Sequence, residues 1–123
     1  MEREEFRELV VKAVKSLPRQ FRKRMENISV VVEDYPSRDD VQKTGATRFS
    51  LLGLYQGVPL KKRSVWQNQT LPDKISIFQA NIERAARTPE AVQELVREVV
   101  MHEIGHYFGL NEDELREAQQ SRD

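Results

Sequence analysis

The sequence predicts a single α+β domain that spans residues 1–123. Three observations support this fold class. An N-terminal stretch repeats apolar residues at helical spacing, three short segments have the composition of strands, and a long apolar helix lies near the C-terminal end. A chain of this length buries roughly two-thirds of its unfolded surface, so one core is enough to stabilise it without cross-links.

Two helices are predicted at the N-terminal end. Apolar residues recur at i, i+3, i+4, i+7, i+8 and i+11 from Phe6 to Leu17, and the stripe stops before Pro18. Proline is favoured at the first position of a helix, so Pro18 is suited to open a second, short helix. Phe21 and Met25 lie one turn apart in that helix and are expected in the core.

The three predicted strands are Ile28–Glu33, Leu51–Tyr55 and Lys74–Gln79. The first is short and β-branched, which is typical of a strand buried on both faces. Within the second, Gly53 indicates a bulge or a close backbone approach. The stretches 34–47 and 57–73 are rich in polar residues and contain proline and glycine, so both are predicted to be connections.

The longest predicted helix lies between Thr88 and Gly109. Thr88 is a suitable N-cap, Pro89 suits the first helical position, and apolar residues keep helical spacing as far as Gly109. A shorter helix, roughly Ala80–Arg87, is expected before it. The apolar character of the long helix indicates that it is central and packs under the sheet.

The most informative motif is H-E-x-x-H at residues 102–106, which contains both histidines of the chain. Imidazoles four residues apart on a helix share a face, so His102 and His106 are placed to bind one Zn²⁺. Glu103 is then placed to take a proton from zinc-activated water as the general base. The alternative is a pair of partly buried histidines near a helix C-terminus, where positive charge is favoured.

The residues after the helix offer a third metal ligand. Gly109 is suited to turn the chain sharply and bring the following residues back toward the histidines. In the longer pattern H-E-x-x-H-x-x-G-x-x-H the third ligand follows the glycine by three positions, and that position here is Glu112. Two histidines and one carboxylate form an acceptable catalytic zinc site. Asp113, water or another acid remain alternatives for the third position.

The same acidic residues have a purely structural interpretation. Asn111 is suited to cap a final helix, with Glu114 completing a capping box. Glu112 and Asp113 would then be acids in the first turn that complement the helix dipole.

Composition excludes several classes of protein. There is no cysteine, so the chain forms no disulfide and no thiolate metal site. Lysine and arginine total 20, as do aspartate and glutamate, and this balance gives no reason to expect a nucleic-acid partner. The N-terminal segment lacks the apolar core of a signal peptide, and no stretch approaches the roughly 18–20 apolar residues of a membrane span. We therefore expect a cytoplasmic protein.

With these motifs in hand, the chain resembles a small bacterial zincin-like family described as possible zinc metallopeptidases. The resemblance rests on HEIGHYFGL at His102–Leu110, the acidic residues after it, LLGLYQGVPL at Leu51–Leu60 and LPDKISIF at Leu71–Phe78. It implies an α+β zincin-like fold in which a small mixed β-sheet packs on the helix that carries HExxH, with additional N-terminal helices. It implies that His102 and His106 are zinc ligands and Glu103 the base, with the acidic position at Glu112.

The sequence departs from the metzincins, and the departure predicts a shallow substrate cleft. The third position is acidic, and few residues follow Glu112, so no Met-turn of the usual form is expected. We therefore expect an open cleft with weak, poorly selective peptide binding, or a partner that completes its wall. In zincins the substrate lies along a sheet edge, for which the segment from Leu52 to Gly57 is the candidate. Tyr55 within it is a candidate contact for the substrate or the oxyanion.

Three functions follow from the sequence, and the first is favoured. It is a zinc-dependent metallopeptidase that hydrolyses a peptide or protein substrate with Glu103 as general base. The second is a metal-dependent endoribonuclease, because one family of such enzymes carries a similar histidine pattern, although with glycine where this chain has Glu103. The third is a non-catalytic interaction protein stabilised by its metal. Structural zinc sites usually have four protein ligands, and a chain with two histidines and no cysteine is poorly equipped for one.

Overall fold

A computed structural model describes residues 1–57 and 73–120 of the chain, and this part is an α+β fold. Its helices and strands, in chain order, are α1 (Arg3–Lys15), α2 (Arg19–Met25), β1 (Ser29–Glu33), α3 (Arg38–Thr44), β2 (Gly53–Gln56), β3 (Lys74–Phe78), α4 (Gln79–Ala85), α5 (Pro89–Tyr107) and α6 (Glu112–Gln120). The connection predicted at 57–73 lies outside the described residues, apart from its two end residues. Within the described ranges, no helix combines the length and the apolar character needed to cross a membrane.

The predicted helices form where the local signals indicated. On α1 the apolar stripe is buried at Phe6, Val10 and Ala13. Helix α5 begins after Thr88, whose side chain accepts a hydrogen bond from the amide of Ala91 at 3.1 Å. That bond satisfies one of the amides that a helix start leaves without a partner.

The sheet is mixed, with the strand order β1–β3–β2. Strand β1 runs parallel to β3 and β2 runs antiparallel to it. The central strand β3 is the most buried of the three, and among the described residues β1 and β2 are the edge strands. The prediction of a first strand buried on both faces is wrong, because β1 is an edge strand whose residues are half-buried or exposed.

The stretch 34–47, predicted to be only a connection, contains the helix α3. A capping box begins it, since Ser37 Oγ accepts from the amide of Asp40 at 3.0 Å and the Asp40 carboxylate accepts from the amide of Ser37 at 3.2 Å. Gly45, with φ of 75°, ends it. No residue of α3 is buried, and the helix lacks the apolar stripe by which α1 and α5 were predicted.

Helix α5 lies at the centre of the core, as the sequence predicted, and packs on α1, on the sheet and on α6. Its buried face includes Val96, Val100 and Ile104. Arg97 is also buried, at 1% exposure, and donates a hydrogen bond to the carbonyl of Gln119 at 2.9 Å. This bond ties the middle of α5 to the C-terminal end of α6.

Gly105 allows α6 to pack closely against the end of α5. A methyl group at this position would lie 2.1 Å from Cδ2 of Leu115, which is 1% exposed. Real carbon atoms do not approach so closely, so any larger residue must displace the side chain of Leu115. The glycine within HExxH thus makes room for the buried contact between the end of α5 and α6.

We expect Gly105→Ala to lower the free energy of unfolding by about 1–3 kcal/mol, because the added methyl overpacks the contact with Leu115. An alanine inside a helix is otherwise favoured over glycine by about 1 kcal/mol. The control is a double-mutant cycle with Leu115→Ala, measured by denaturant unfolding. In the Leu115→Ala background Gly105→Ala should be neutral or stabilising, and an equal loss of stability in both backgrounds would refute the contact.

Candidate metal centre and active site

His102 and His106 lie on one face of the last two turns of α5. Their ring centroids are 4.4 Å apart, with the planes at 68° to each other. His106 is exposed and His102 is half-buried, while Met101, Ile104 and Gly105 face the core. The amphipathic pattern of α5 therefore turns both imidazoles toward the surface at the edge of the sheet.

Glu103 contacts the side of strand β2 that faces away from β3. The amide of Tyr55 donates a hydrogen bond to Oε1 of Glu103 at 2.9 Å. Amide directions alternate along a strand, and the amide of Phe78 donates to the carbonyl of Leu52, so residues 53 and 55 turn their amides away from β3. The carboxylate of Glu103 thus lies against the outer side of an edge strand, and its helix position is next to that of His102.

The side chain of Tyr55 joins β2 to β3 and to the end of α5. Its hydroxyl donates to Oδ2 of Asp73 at 2.9 Å, and its ring lies 4.4 Å from that of Tyr107 at a tilt of 37°. Burial, followed by the hydrogen bond to the Asp73 carboxylate, raises the pKa of the Tyr55 hydroxyl above its usual range. The hydroxyl therefore stays protonated at neutral pH, with its proton directed at Asp73.

The turn after α5 is the sharp one that Gly109 predicts. Gly109 has φ of 82°, and the amide of Leu110 returns to the carbonyl of Gly105 at 2.9 Å. Asn111 then caps α6 as a capping box. Its Oδ1 accepts from the amide of Glu114 at 2.8 Å, and its own amide donates to the Glu114 carboxylate at 3.0 Å.

The two acidic candidates for the third ligand lie in the first turn of α6. Asp113 is exposed and forms an ion pair with Arg116 at 3.1 Å. Glu112 is the first residue of α6, and its side chain lies outside what the structure describes. Among the side chains that are described, no three histidine or acidic residues gather as a metal site.

A groove of about 340 Å³ runs beside the motif, between α5 and the start of β2. Apolar residues form most of it, and the polar residues in its lining include His102 and Glu103. Its lining residues are Leu51, Leu52, Gly53, Leu95, Glu98, Val99, His102, Glu103 and Gln119. The groove offers an apolar surface next to the candidate base.

Gly53 allows the edge strand to come this close to α5. A methyl group at Gly53 would lie 2.6 Å from Cγ1 of Val99 and 3.1 Å from the carbonyl oxygen of Ser76. The close backbone approach predicted for this glycine is therefore confirmed.

Several residues at the site were not singled out from the sequence. Asp73, which holds the Tyr55 hydroxyl, lies 18 positions away, and no local pattern links the two. Val99 could have been found, because it lies one turn before His102 on the same helix face. Its apolar character instead assigned it to the core.

The two imidazoles of the site suit zinc. Two imidazoles at this spacing on an open helix face match the nitrogen ligands of a catalytic zinc site, in which Zn–N distances are about 2.0–2.1 Å. Such a site takes three protein ligands and keeps one position open, so His102 and His106 would supply two and a third ligand would have to come from elsewhere.

Comparison with known proteins agrees with this geometry. The family model described as zincin-like metallopeptidase matches residues 25–121, from the end of α2 to just beyond α6. Among curated proteins, none matches the chain. Zinc is the metal that the zincin class implies. Because the match covers most of the chain, this protein belongs to the zincin-like metallopeptidase family.

Proposed function

We propose that the protein is a zinc-dependent metallopeptidase that hydrolyses peptide bonds with Glu103 as general base. The observation that carries this proposal is the hydrogen bond from the Tyr55 amide to Glu103 at 2.9 Å. It places the carboxylate that follows His102 on α5 against the edge strand β2, on the side of that strand that faces away from β3. An extended peptide that adds to this edge would have its backbone beside the base.

Each residue then has a defined role. His102 and His106 hold the metal, which when bound acts as a Lewis acid and lowers the pKa of water to about 7. Glu103 has one carboxylate oxygen engaged by the Tyr55 amide, and the other accepts the proton of the attacking water. The same carboxyl group returns that proton to the leaving amine.

Glu112 is our candidate for the third ligand. Helical periodicity puts position 112 on the same side of α6 as Leu115, the residue that packs against Gly105. The first turn of α6 is thereby held beside the turn of α5 that carries the histidines. Asp113 is the weaker candidate, because its carboxylate is already paired with Arg116.

The groove beside the motif is proposed to receive a side chain of the substrate. Leu52, Leu95 and Val99 are half-buried there, so the groove favours an apolar residue near the scissile bond. Tyr55 remains a proposed contact, with its ring rather than its hydroxyl proton available to the substrate. A groove of this size holds little more than one side chain, which supports weak activity or a partner that completes the cleft.

The proposal is tested by hydrolysis of quenched fluorescent peptides that carry an apolar residue beside the central bond. The expected result is slow cleavage by zinc-loaded protein, loss of cleavage with a chelator, and recovery when zinc is restored. Hydrolysis of an RNA substrate by the same zinc-loaded protein is measured in parallel. Cleavage of RNA but not of any peptide would contradict the proposal in favour of a ribonuclease. Lowered stability on chelation without any hydrolysis would favour a metal-stabilised interaction protein.

The role of the Tyr55 amide in positioning Glu103 is tested by Tyr55→Pro, because proline has no amide proton to donate. An outward-facing amide on an edge strand is a position that tolerates proline. We expect kcat to fall at least about tenfold with zinc still bound, since a loosely held base is misplaced in the transition state. The matched control is Tyr55→Ala, which removes the same ring but keeps the amide. Equal kcat values for the two folded variants would show that the amide does not position the base.

A further inference from the structure

A second surface combines arginines with two aromatic rings, of which Phe49 is exposed and Tyr35 is half-buried. We define the arginine–aromatic patch as Tyr35, Arg38, Arg48, Phe49 and Arg84. The Arg48 guanidinium lies over the rings of Tyr35 and Phe49, at 4.4 and 5.6 Å from their centroids, and Arg84 lies 5.0 Å from the Phe49 centroid. The patch borders a depression of about 680 Å³ lined by Tyr35, Pro36, Arg38, Val41, Gln42 and Arg48.

The turn that carries Arg48 and Phe49 is held firmly by a buried amide. Asn81 is 1% exposed, and its Nδ2 donates to the carbonyl oxygens of Arg48 and Leu51, both at 2.8 Å. The ring of Phe49 nevertheless stays 52% exposed, in edge-to-face contact with Tyr35 at 5.7 Å. A buried side-chain amide therefore stabilises the turn that presents the Phe49 ring and the Arg48 guanidinium at the surface.

The carboxylates nearest in sequence are engaged elsewhere. Asp34 pairs with Arg3 at 2.6 Å, and Asp39 pairs with Lys43 at 3.0 Å. The Asp40 carboxylate accepts from the amide of Ser37 and from Nε2 of Gln56. Glu83, beside Arg84, pairs with the N-terminal amine at 3.1 Å.

In the part of the chain that the structure describes, the charges of the patch arginines are not matched by ion pairs. Within residues 1–57 and 73–120, no carboxylate forms an ion pair with Arg38, Arg48 or Arg84. A stacked guanidinium keeps its in-plane N–H donors available, and their fork matches the two oxygens of a carboxylate. The chemistry that fits the patch is therefore a carboxylate beside an apolar or aromatic group.

The patch and the groove share one chain segment. Leu51 lines the groove and lies three residues after Arg48, so the two Cα atoms are at most about 10 Å apart. A peptide that leaves the groove past Leu51 would reach Arg48 within about three or four residues. We propose that the arginine–aromatic patch is a docking site for an acidic segment of the peptide substrate, which gives the protein a preference that its small groove lacks. The part of this inference that concerns substrate rests on the proposed peptidase function.

Binding is tested without catalysis, in the full chain carrying Glu103→Gln. The probe is a fluorescein-labelled decapeptide of alternating glutamate and leucine, compared by anisotropy with a peptide that has glutamine for every glutamate. We expect the acidic peptide to bind at least about fivefold more tightly, and added salt to weaken it. Arg48→Gln and Arg38→Gln should each weaken binding of the acidic peptide about threefold. Arg7→Gln, at an exposed arginine of α1, is the control and should have no effect.

The outcomes separate this proposal from the peptidase function. Equal binding of the two peptides, or equal loss with Arg7→Gln and Arg48→Gln, would overturn the docking site and leave the peptidase proposal standing. Preferential binding to a single-stranded RNA of the same length would assign the patch to nucleic acid and would also overturn it. Arg48→Gln in the otherwise unchanged protein should slow cleavage of a peptide with an acidic extension more than cleavage of the same peptide without it. If binding of the acidic peptide depends on the arginines but the protein cleaves no peptide, the docking site stands and the proposed peptidase function is refuted.

Discussion

Replacement of Glu103 by glutamine is expected to lower kcat for peptide hydrolysis at least about a hundredfold, the contribution typical of a positioned general base. Glutamine has nearly the same shape, and its carbonyl oxygen can still accept the hydrogen bond of the Tyr55 amide. It cannot accept the proton of water at neutral pH. The substitution therefore removes the proton transfer and leaves the local structure in place.

Zinc content and kcat must be measured on the same preparation of Glu103→Gln. The expected result is about one zinc per chain, as in the unchanged protein, with hydrolysis lost. Glu98→Gln is the matched control, because Glu98 also lines the groove but lies five residues before Glu103 on α5. Unaltered hydrolysis in Glu103→Gln, or the same loss in both variants, would remove Glu103 from the role of base.

Replacement of His106 by alanine is expected to abolish stable zinc binding and with it all hydrolysis. One imidazole and one carboxylate are too few for a catalytic zinc site, which takes three protein ligands. His106 is exposed and its loss leaves no cavity in the core, so the metal-free protein should change in stability by less than about 0.5 kcal/mol. The measurements are zinc per chain by elemental analysis and unfolding in the presence of a chelator.

The same assay locates the third ligand through a matched pair of neighbouring variants. Glu112→Ala should weaken zinc binding strongly, while Asp113→Ala should leave it unchanged, because Asp113 is paired with Arg116 at the surface. The reverse result would assign Asp113. Full zinc occupancy in both variants would mean that the third ligand is neither residue, and retention of zinc in His106→Ala would contradict the centre itself.

The parts of the fold that local sequence determines were predictable. HExxH places two imidazoles on one helix face because the spacing alone fixes their relation. The cap at Thr88, the turn at Gly109 and the close approach at Gly53 follow from the properties of single residues. The capping box at Asn111 was recognisable for the same reason.

Features that depend on strand order or distant contacts were not predictable. The contact between Tyr55 and Glu103 joins residues 48 positions apart and follows from which strand lies at the edge of the sheet. Strand β1 has the composition of a buried strand, but the order β1–β3–β2 places it at an edge. Helix α3 was missed because its capping signals, Ser37 and Gly45, were present without an apolar stripe.

The most direct test of the central claim is mass-spectrometric analysis of a complex peptide mixture incubated with the zinc-loaded protein. The prediction is a set of new peptide termini, enriched in an apolar residue on one side of the cleaved bond. These termini should disappear with a chelator and in Glu103→Gln. New termini that persist in Glu103→Gln, or none at all from protein with about one zinc per chain, would contradict a peptidase built on HExxH.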